Sequence, residues 1–249
     1  KPSPHKPPTT EEAKALADLS RAGSRLKGFC RTNLFKRLES SGYAFLVSVE
    51  RHILRNFIFL HAITEGEPLP IGTQDMGLLD TWANDEDTDL WDPATDGDDN
   101  GSNADPSKQV GQVLTEEDFK ERAAEVYAKY KSNFRRRFKW LRPEMFDETL
   151  AKDLRNDAAA LMRVLKRAGA WDPSRDAKLN ALLDLVGEQH PKSKILVFSQ
   201  FADTVDYLAT QLKASHVSAI AGVTGNTDDP TAVAWRFSPV SNNKRDQIK

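Results

Sequence analysis

Residues 194–212 read KILVFSQFADTVDYLATQL, and this stretch decides the fold class that the sequence predicts. Its first part, Lys194 to Ser199, is a short apolar run between polar residues, which is typical of a parallel strand buried on both faces. Its second part predicts a helix from Ala202 to Leu212, and a further strand is expected near Val217 to Thr224. The alternation of helices and strands indicates an α/β unit.

Polar residues follow both predicted strands. Ligands of α/β folds gather where the carboxyl ends of strands meet the loops. Ser199 and Gln200 come directly after the first strand, and Thr224 and Gly225 end the second. These four residues are therefore candidate site residues. The alternative is that these residues serve only to form strand ends and turns, where Ser and Gly are common.

The N-terminal part of the chain is predicted to be helical. Thr9 or Thr10 can cap a first helix, because Glu11 and Glu12 follow in its first turn. Gly28 is expected to end that helix.

A second, well-buried helix is predicted from Tyr43 to Ile63, where apolar residues recur every three or four positions. A membrane span is rejected for this helix because ionisable residues occupy its middle. They are Glu50, Arg51, His52 and Arg55. His52 and His61 are interpreted as structural, since no Cys or carboxylate spacing supports a metal site.

Two more helices are expected to form a helical hairpin at about 115–169. Thr115 resembles an N-cap, Pro143 interrupts the apolar pattern, and Gly169 stands where a C-terminal cap would be. The sequence thus predicts a mostly α fold with a partial α/β end. Its parts are a linker at 1–10, a helical region at 11–171 and the α/β part at 172–249.

The formal net charge of −2 hides an uneven distribution. No Lys or Arg lies between Arg55 and Lys108, an interval that contains 13 acidic residues, so the remainder of the chain has 35 basic and 24 acidic residues. The basic remainder of the chain could bind a polyanion. Residues at about 85–107 are predicted to form a flexible acidic loop. The loop begins like a calcium site but has Ser107 where the closing Glu would stand, so no metal site is predicted.

The first arm of the expected hairpin is rich in positive charge. Arg122, Lys129 and Arg136 recur at seven-residue intervals, which places them on one face of a helix. Such a stripe can neutralise the phosphates of a nucleic acid. A solvated helix face is the alternative interpretation.

Several blocks of the chain resemble consecutive blocks of the C-terminal helicase lobe in Swi/Snf-like translocases of superfamily two. They are DAKLNALLDLV (176–186), the 194–212 stretch, VTGNT (223–227) and RFSP (236–239). Upstream, RTNLFKRLESSGYAF (31–45) resembles the helical segment between the lobes of bacterial helicase-related proteins.

The resemblance implies that residues 172–249 are the first part of a second RecA-like lobe with a parallel sheet, and that residues 11–171 are an interlobe helical region. By the same resemblance, Ser199, Gln200, Thr224 and Gly225 would approach the DNA backbone without reading its sequence. The parent protein would use ATP and magnesium, and its first RecA-like lobe would be a partner of this chain.

The chain also departs from that family. It has no GK[ST] phosphate loop, no acidic magnesium motif and none of the late arginine motifs that ATP hydrolysis needs. We therefore expect a fragment that holds no cofactor and does not hydrolyse ATP alone. A helical nucleic-acid-binding module and a protein-interaction scaffold with an acidic loop remain as alternatives. The single Cys30 and the lack of an apolar signal sequence suggest a cytoplasmic protein without a membrane partner.

Overall fold

The computed structural model describes residues 7–72 and 114–246, without the side chains of residues 20–29. Over these residues the protein is mostly helical and has a small two-stranded antiparallel sheet. The helices are α1 (Thr10–Ser40), α2 (Gly42–Thr64), α3 (Glu116–Asn133), α4 (Leu150–Ala168), α5 (Ala177–Asp184), α6 (Ala202–Ala214) and α7 (Pro230–Phe237). The strands are β1 (Leu69–Ile71) and β2 (Lys139–Leu141). The predicted acidic loop and its partial calcium motif lie outside the described residues.

The start of α1 confirms the predicted cap. Thr9 Oγ1 accepts a hydrogen bond from the Glu12 amide at 3.2 Å, and the Glu12 carboxylate accepts one from the Thr9 amide at 2.8 Å. Arg142 Nε also donates to Glu12 at 3.0 Å, and this bond, with those of Thr9, lowers the pKa of Glu12 to about 2.

The predicted end of α1 at Gly28 is wrong. One glycine costs a helix only about 1 kcal/mol, and α1 continues to Ser40.

The central element is α2, which confirms the helix predicted from Tyr43 to Ile63. It packs against α1, α3, α4 and α6, so the core of the protein surrounds it. On its α3 side, Phe57 stacks on Phe119 with ring centroids 5.9 Å apart. The largest fully buried side chains include Tyr130, Phe119, Ile53, Ile58, Leu69, Leu141 and Val49.

The predicted helical hairpin is wrong. The helix α3 stops at Asn133, a 3-10 turn follows at Arg135–Arg137, and β2 pairs with β1 in the register Leu69 with Leu141. Both α3 and α4 pack on α2 instead of lying along each other. Strand pairing with a segment some 70 residues away, which local periodicity does not reveal, buries Leu141 and outcompetes a continued helix.

The predicted end of α4 is confirmed. Gly169 has a φ of 68°, and its amide donates to Leu165 O at 2.9 Å. A side chain would be strained at that φ, so glycine suits this cap. Asp172, whose Asp-Pro pair also fits the start of a helix, caps only a 3-10 turn, and Asp176 caps α5.

The helix predicted from Ala202 to Leu212 is confirmed as α6, but the two strands around it are not formed. Residues 194–199 and 217–224 belong to neither a helix nor a strand. A parallel strand exists only through hydrogen bonds to neighbouring strands, and within residues 7–72 and 114–246 β1 and β2 pair only with each other. The apolar run is consequently uncovered, with Leu196 64% and Phe198 88% exposed.

Candidate nucleic-acid interface

The junction between α1 and α2 is the surface on which the C-terminal part of the chain docks. Tyr43, at the start of α2, stacks on Tyr207 of α6 with ring centroids 4.6 Å apart. Trp171 Nε1 donates to the Tyr207 hydroxyl at 3.1 Å, and that hydroxyl donates to Asp176 at 3.0 Å. Burial raises the pKa of Tyr207, so its phenol stays protonated and keeps this bond. Gly42 allows the close approach, because a Cβ there would lie 2.7 Å from the Trp171 ring.

A cluster of three charged side chains crosses the same junction. Arg37 NH1 donates to Asp203 Oδ2 at 2.8 Å. Arg51 donates to both carboxylate oxygens of Asp203, at 2.8 and 2.7 Å. The two arginines are only 3% and 2% exposed, and Arg37 also lies over the Phe201 ring at 4.7 Å. One carboxylate thus pairs with two buried guanidinium groups from different helices.

This cluster was not predicted from the sequence. The signal that could have found it is Arg51, which stands among apolar residues on the most hydrophobic helix of the chain. A buried Arg requires a carboxylate or another acceptor. Its partner Asp203 is 152 residues away, so no local pattern could have identified it.

Two of the predicted site residues, Ser199 and Gln200, line a groove of about 600 Å³ between the α1–α2 junction and α6. We name this the junction groove. Ser199 is half-buried and its Oγ lies 3.3 Å from Ser40 Oγ, while Gln200 is exposed. The remaining lining includes Lys36, Ser41, Lys178 and Phe201.

Thr224 and Gly225 lie in a separate turn. The Thr224 amide donates to Thr227 Oγ1 at 2.9 Å, and the Thr227 amide donates to Thr224 O at 3.1 Å. Neither residue lines the junction groove. The structure therefore groups two of the four predicted strand-end residues and leaves the other two in a turn of their own.

The predicted basic stripe of Arg122, Lys129 and Arg136 is interrupted. Arg122 and Lys129 lie on α3, where Arg122 is half-buried and Lys129 is exposed, but Arg136 lies beyond the helix in the 3-10 turn. Because the helix ends at Asn133, the three residues do not share one helical face.

Positive charge is instead concentrated in the 3-10 turn itself. We name Arg135, Arg136 and Arg137 the arginine turn. All three are exposed and line a cavity of about 420 Å³. Trp140 Nε1 donates to Arg135 O at 2.8 Å, and Arg137 lies over the Phe134 ring at 5.1 Å, so aromatic side chains hold the turn. Three adjacent exposed guanidinium groups can contact phosphates.

The two histidines of α2 are surrounded by protein groups. Burial, together with the positive charges of Arg55, Arg37 and Arg51, lowers the pKa of His52 to about 3. His61 packs edge-to-face on Tyr127 with ring centroids 5.2 Å apart. Within residues 7–72 and 114–246, no group of three or more His, Cys, Asp or Glu side chains could hold a metal ion. None of the helices described is long and apolar enough to cross a membrane.

The chain was compared with models of protein families, with curated proteins and with solved structures. None of the three comparisons found a match.

Proposed function

We propose that this chain binds the phosphate backbone of nucleic acid, as part of an ATP-driven DNA translocase of the Swi/Snf-like class. The observation that carries the binding proposal is the arginine turn, where three consecutive arginines are exposed. Binding through phosphates needs no base-reading element and is not sequence-specific. Lys129, one helical turn before the end of α3, extends the same basic region.

The translocase part of the proposal is supported by the uncovered apolar run at 194–199. A segment with Leu196, Val197 and Phe198 all exposed is suited to a sheet covered on both faces. We propose that this segment and residues 217–224 are strands of a RecA-like parallel sheet, completed by strands of the parent protein. In that parent protein, ATP and magnesium would be bound by residues outside this chain. The first RecA-like lobe would be the partner of this chain. The parent protein would be cytoplasmic.

Neutralising the arginine turn tests the binding proposal. Arg135→Gln with Arg136→Gln is expected to weaken binding of a 20-base-pair DNA duplex about tenfold, because each arginine removed abolishes a phosphate contact. The plot of log affinity against log salt concentration has a negative slope, and the magnitude of that slope should decrease by about 2. Fluorescence anisotropy at several salt concentrations measures both.

The matched control is Arg163→Gln with Arg167→Gln, which removes the same charge from exposed positions on α4. That variant should keep most of the affinity. An equal loss in both variants would mean that net charge alone drives binding. An affinity that does not depend on salt would exclude phosphate binding altogether.

The coding sequence around this segment tests the translocase proposal. We expect a GK[ST] phosphate loop upstream and an arginine motif downstream, because a complete nucleotide site needs both. A stop codon directly after Lys249 would contradict the translocase proposal. The remaining interpretation would then be a nucleic-acid-binding module.

A further inference from the structure

The arginine turn lies in a strongly positive stretch of the chain. Residues 129–139 contain six Lys and Arg residues and no Asp or Glu. Consecutive guanidinium groups carry the same charge and repel each other. The charges of the arginine turn therefore oppose its compact shape, and contacts with its neighbours must maintain that shape.

The backbone of the arginine turn is tied by three hydrogen bonds. The Phe134 amide donates to Tyr130 O at 3.3 Å, and the Arg137 amide donates to Phe134 O at 2.9 Å. These two bonds belong to the end of α3 and to the 3-10 turn itself. The third bond comes from a side chain of β2, because Trp140 Nε1 donates to Arg135 O at 2.8 Å.

Trp140 is itself fixed by the core. It is half-buried, and in the sheet it pairs with Pro70 of β1. Its ring packs edge-on against Tyr127 and Phe138, with centroids 5.9 Å apart in both pairs. Those two residues are only 4% and 6% exposed. The position of the indole N–H is therefore set by buried residues and not by the turn that it holds.

Gly72 confines the arginine turn from another side. It directly follows β1, whose Ile71 pairs with Lys139. Gly72 has a φ of 148°, and a Cβ at this position would lie 3.3 Å from Arg137 O. Both observations require glycine here. The end of β1 thus packs closely on the last residue of the turn.

We propose that Trp140 is a positioning residue of the phosphate site, whose indole N–H holds the arginine turn in the shape that binds nucleic acid. This inference rests on the proposed function. A segment that is already ordered loses less conformational entropy when it binds. Part of the affinity then comes from the fixed shape of the turn, in addition to its charge.

Trp140→Phe tests the inference, because it keeps an aromatic ring and every charge but removes the N–H. Binding of the 20-base-pair duplex should weaken about fivefold, which is equivalent to about 1 kcal/mol, the net contribution of one hydrogen bond. The same phosphates are still contacted, so the slope of log affinity against log salt concentration should not change. Fluorescence anisotropy at several salt concentrations measures both quantities.

Trp171→Phe is the matched control. It removes the same N–H from the other side of the protein, where Trp171 Nε1 donates to the Tyr207 hydroxyl at 3.1 Å. This variant should bind the duplex like the wild type. In the wild-type protein, the duplex should shift the indole NMR signal of Trp140 and leave that of Trp171 in place. A purely structural role of Trp140, remote from the ligand, would not produce that difference.

Gly72→Ala is a second variant that leaves all charges unchanged. It should also weaken binding without changing the slope, because the added Cβ displaces the arginine turn. This variant decides the question if Trp140→Phe is unfolded by circular dichroism.

The outcomes separate the inference from the proposed function. A folded Trp140→Phe protein with wild-type affinity would overturn the inference, and salt-dependent binding by the wild type would leave the proposed function intact. A smaller slope in Trp140→Phe would mean that phosphate contacts are lost, which also contradicts an effect of shape alone. A wild-type protein that does not bind the duplex contradicts the proposed function, and the inference with it.

Discussion

Replacing Asp203 by alanine is expected to lower the free energy of unfolding by about 3–5 kcal/mol, because it removes the carboxylate with which two buried arginines form ion pairs. Arg37 and Arg51 are 3% and 2% exposed, so water cannot replace the lost hydrogen bonds without opening the junction. Urea unfolding followed by circular dichroism measures the change. Trp171 fluorescence should report the loosened docking of α6, since Trp171 donates to Tyr207 on that helix.

The control is Asp206→Asn, one turn further along α6. Asp206 is exposed, but partial desolvation and the nearby Asp203 charge raise its pKa, so its charge is not stabilising. This variant should change stability by no more than about 0.5 kcal/mol, as is usual for surface positions. An Asp203→Ala protein as stable as the control would show that the cluster contributes nothing to docking.

Phe119→Ala is expected to be similarly costly, at about 3–5 kcal/mol, because it opens a cavity between α2 and α3. Phe119 is 2% exposed and stacks on Phe57, so the surrounding side chains have little freedom to fill the cavity that its ring would leave. Thermal and urea unfolding should both show the loss.

Two comparisons sharpen this prediction. Phe119→Leu retains most of the buried apolar volume and should cost clearly less. Phe35→Ala removes the same ring from a position that is 55% exposed and should have a small effect. Equal losses for Phe119→Ala and Phe35→Ala would contradict the packing of α3 on α2.

Features set by neighbouring residues could be predicted from the sequence. The capping box at Thr9, the helix from Tyr43 to Ile63 and the glycine cap at Gly169 each depend on residues within one or two turns. Their patterns are therefore complete in a short window of sequence.

Features set by distant partners could not be predicted in this way. The pairing of Leu69 with Leu141 turns the expected helical arm into a strand. The apolar run at 194–199 has the composition of a buried strand, but a strand also needs neighbours, and a local pattern carries no information about them. The resemblance to a helicase lobe consequently remains a proposal.

In the candidate site, too, features set by neighbouring residues could be predicted and features set by distant partners could not. Ser199 and Gln200 were identified from their place after an apolar run, and both line the junction groove. The burial of Ser41 could not be foreseen, because it depends on the packing of elements that are distant in the sequence. Nor could the sequence show that Arg136 leaves the helical stripe, since that depends on where α3 ends.

The Arg37–Asp203–Arg51 cluster also has a consequence for synthesis on the ribosome. Arg37 and Arg51 precede Asp203 by 166 and 152 residues. At a translation rate of about 5–20 residues per second, Arg37 and Arg51 are synthesised roughly 8–30 s before Asp203. During that interval the surface of the α1–α2 pair on which α6 docks stays uncovered in the nascent chain.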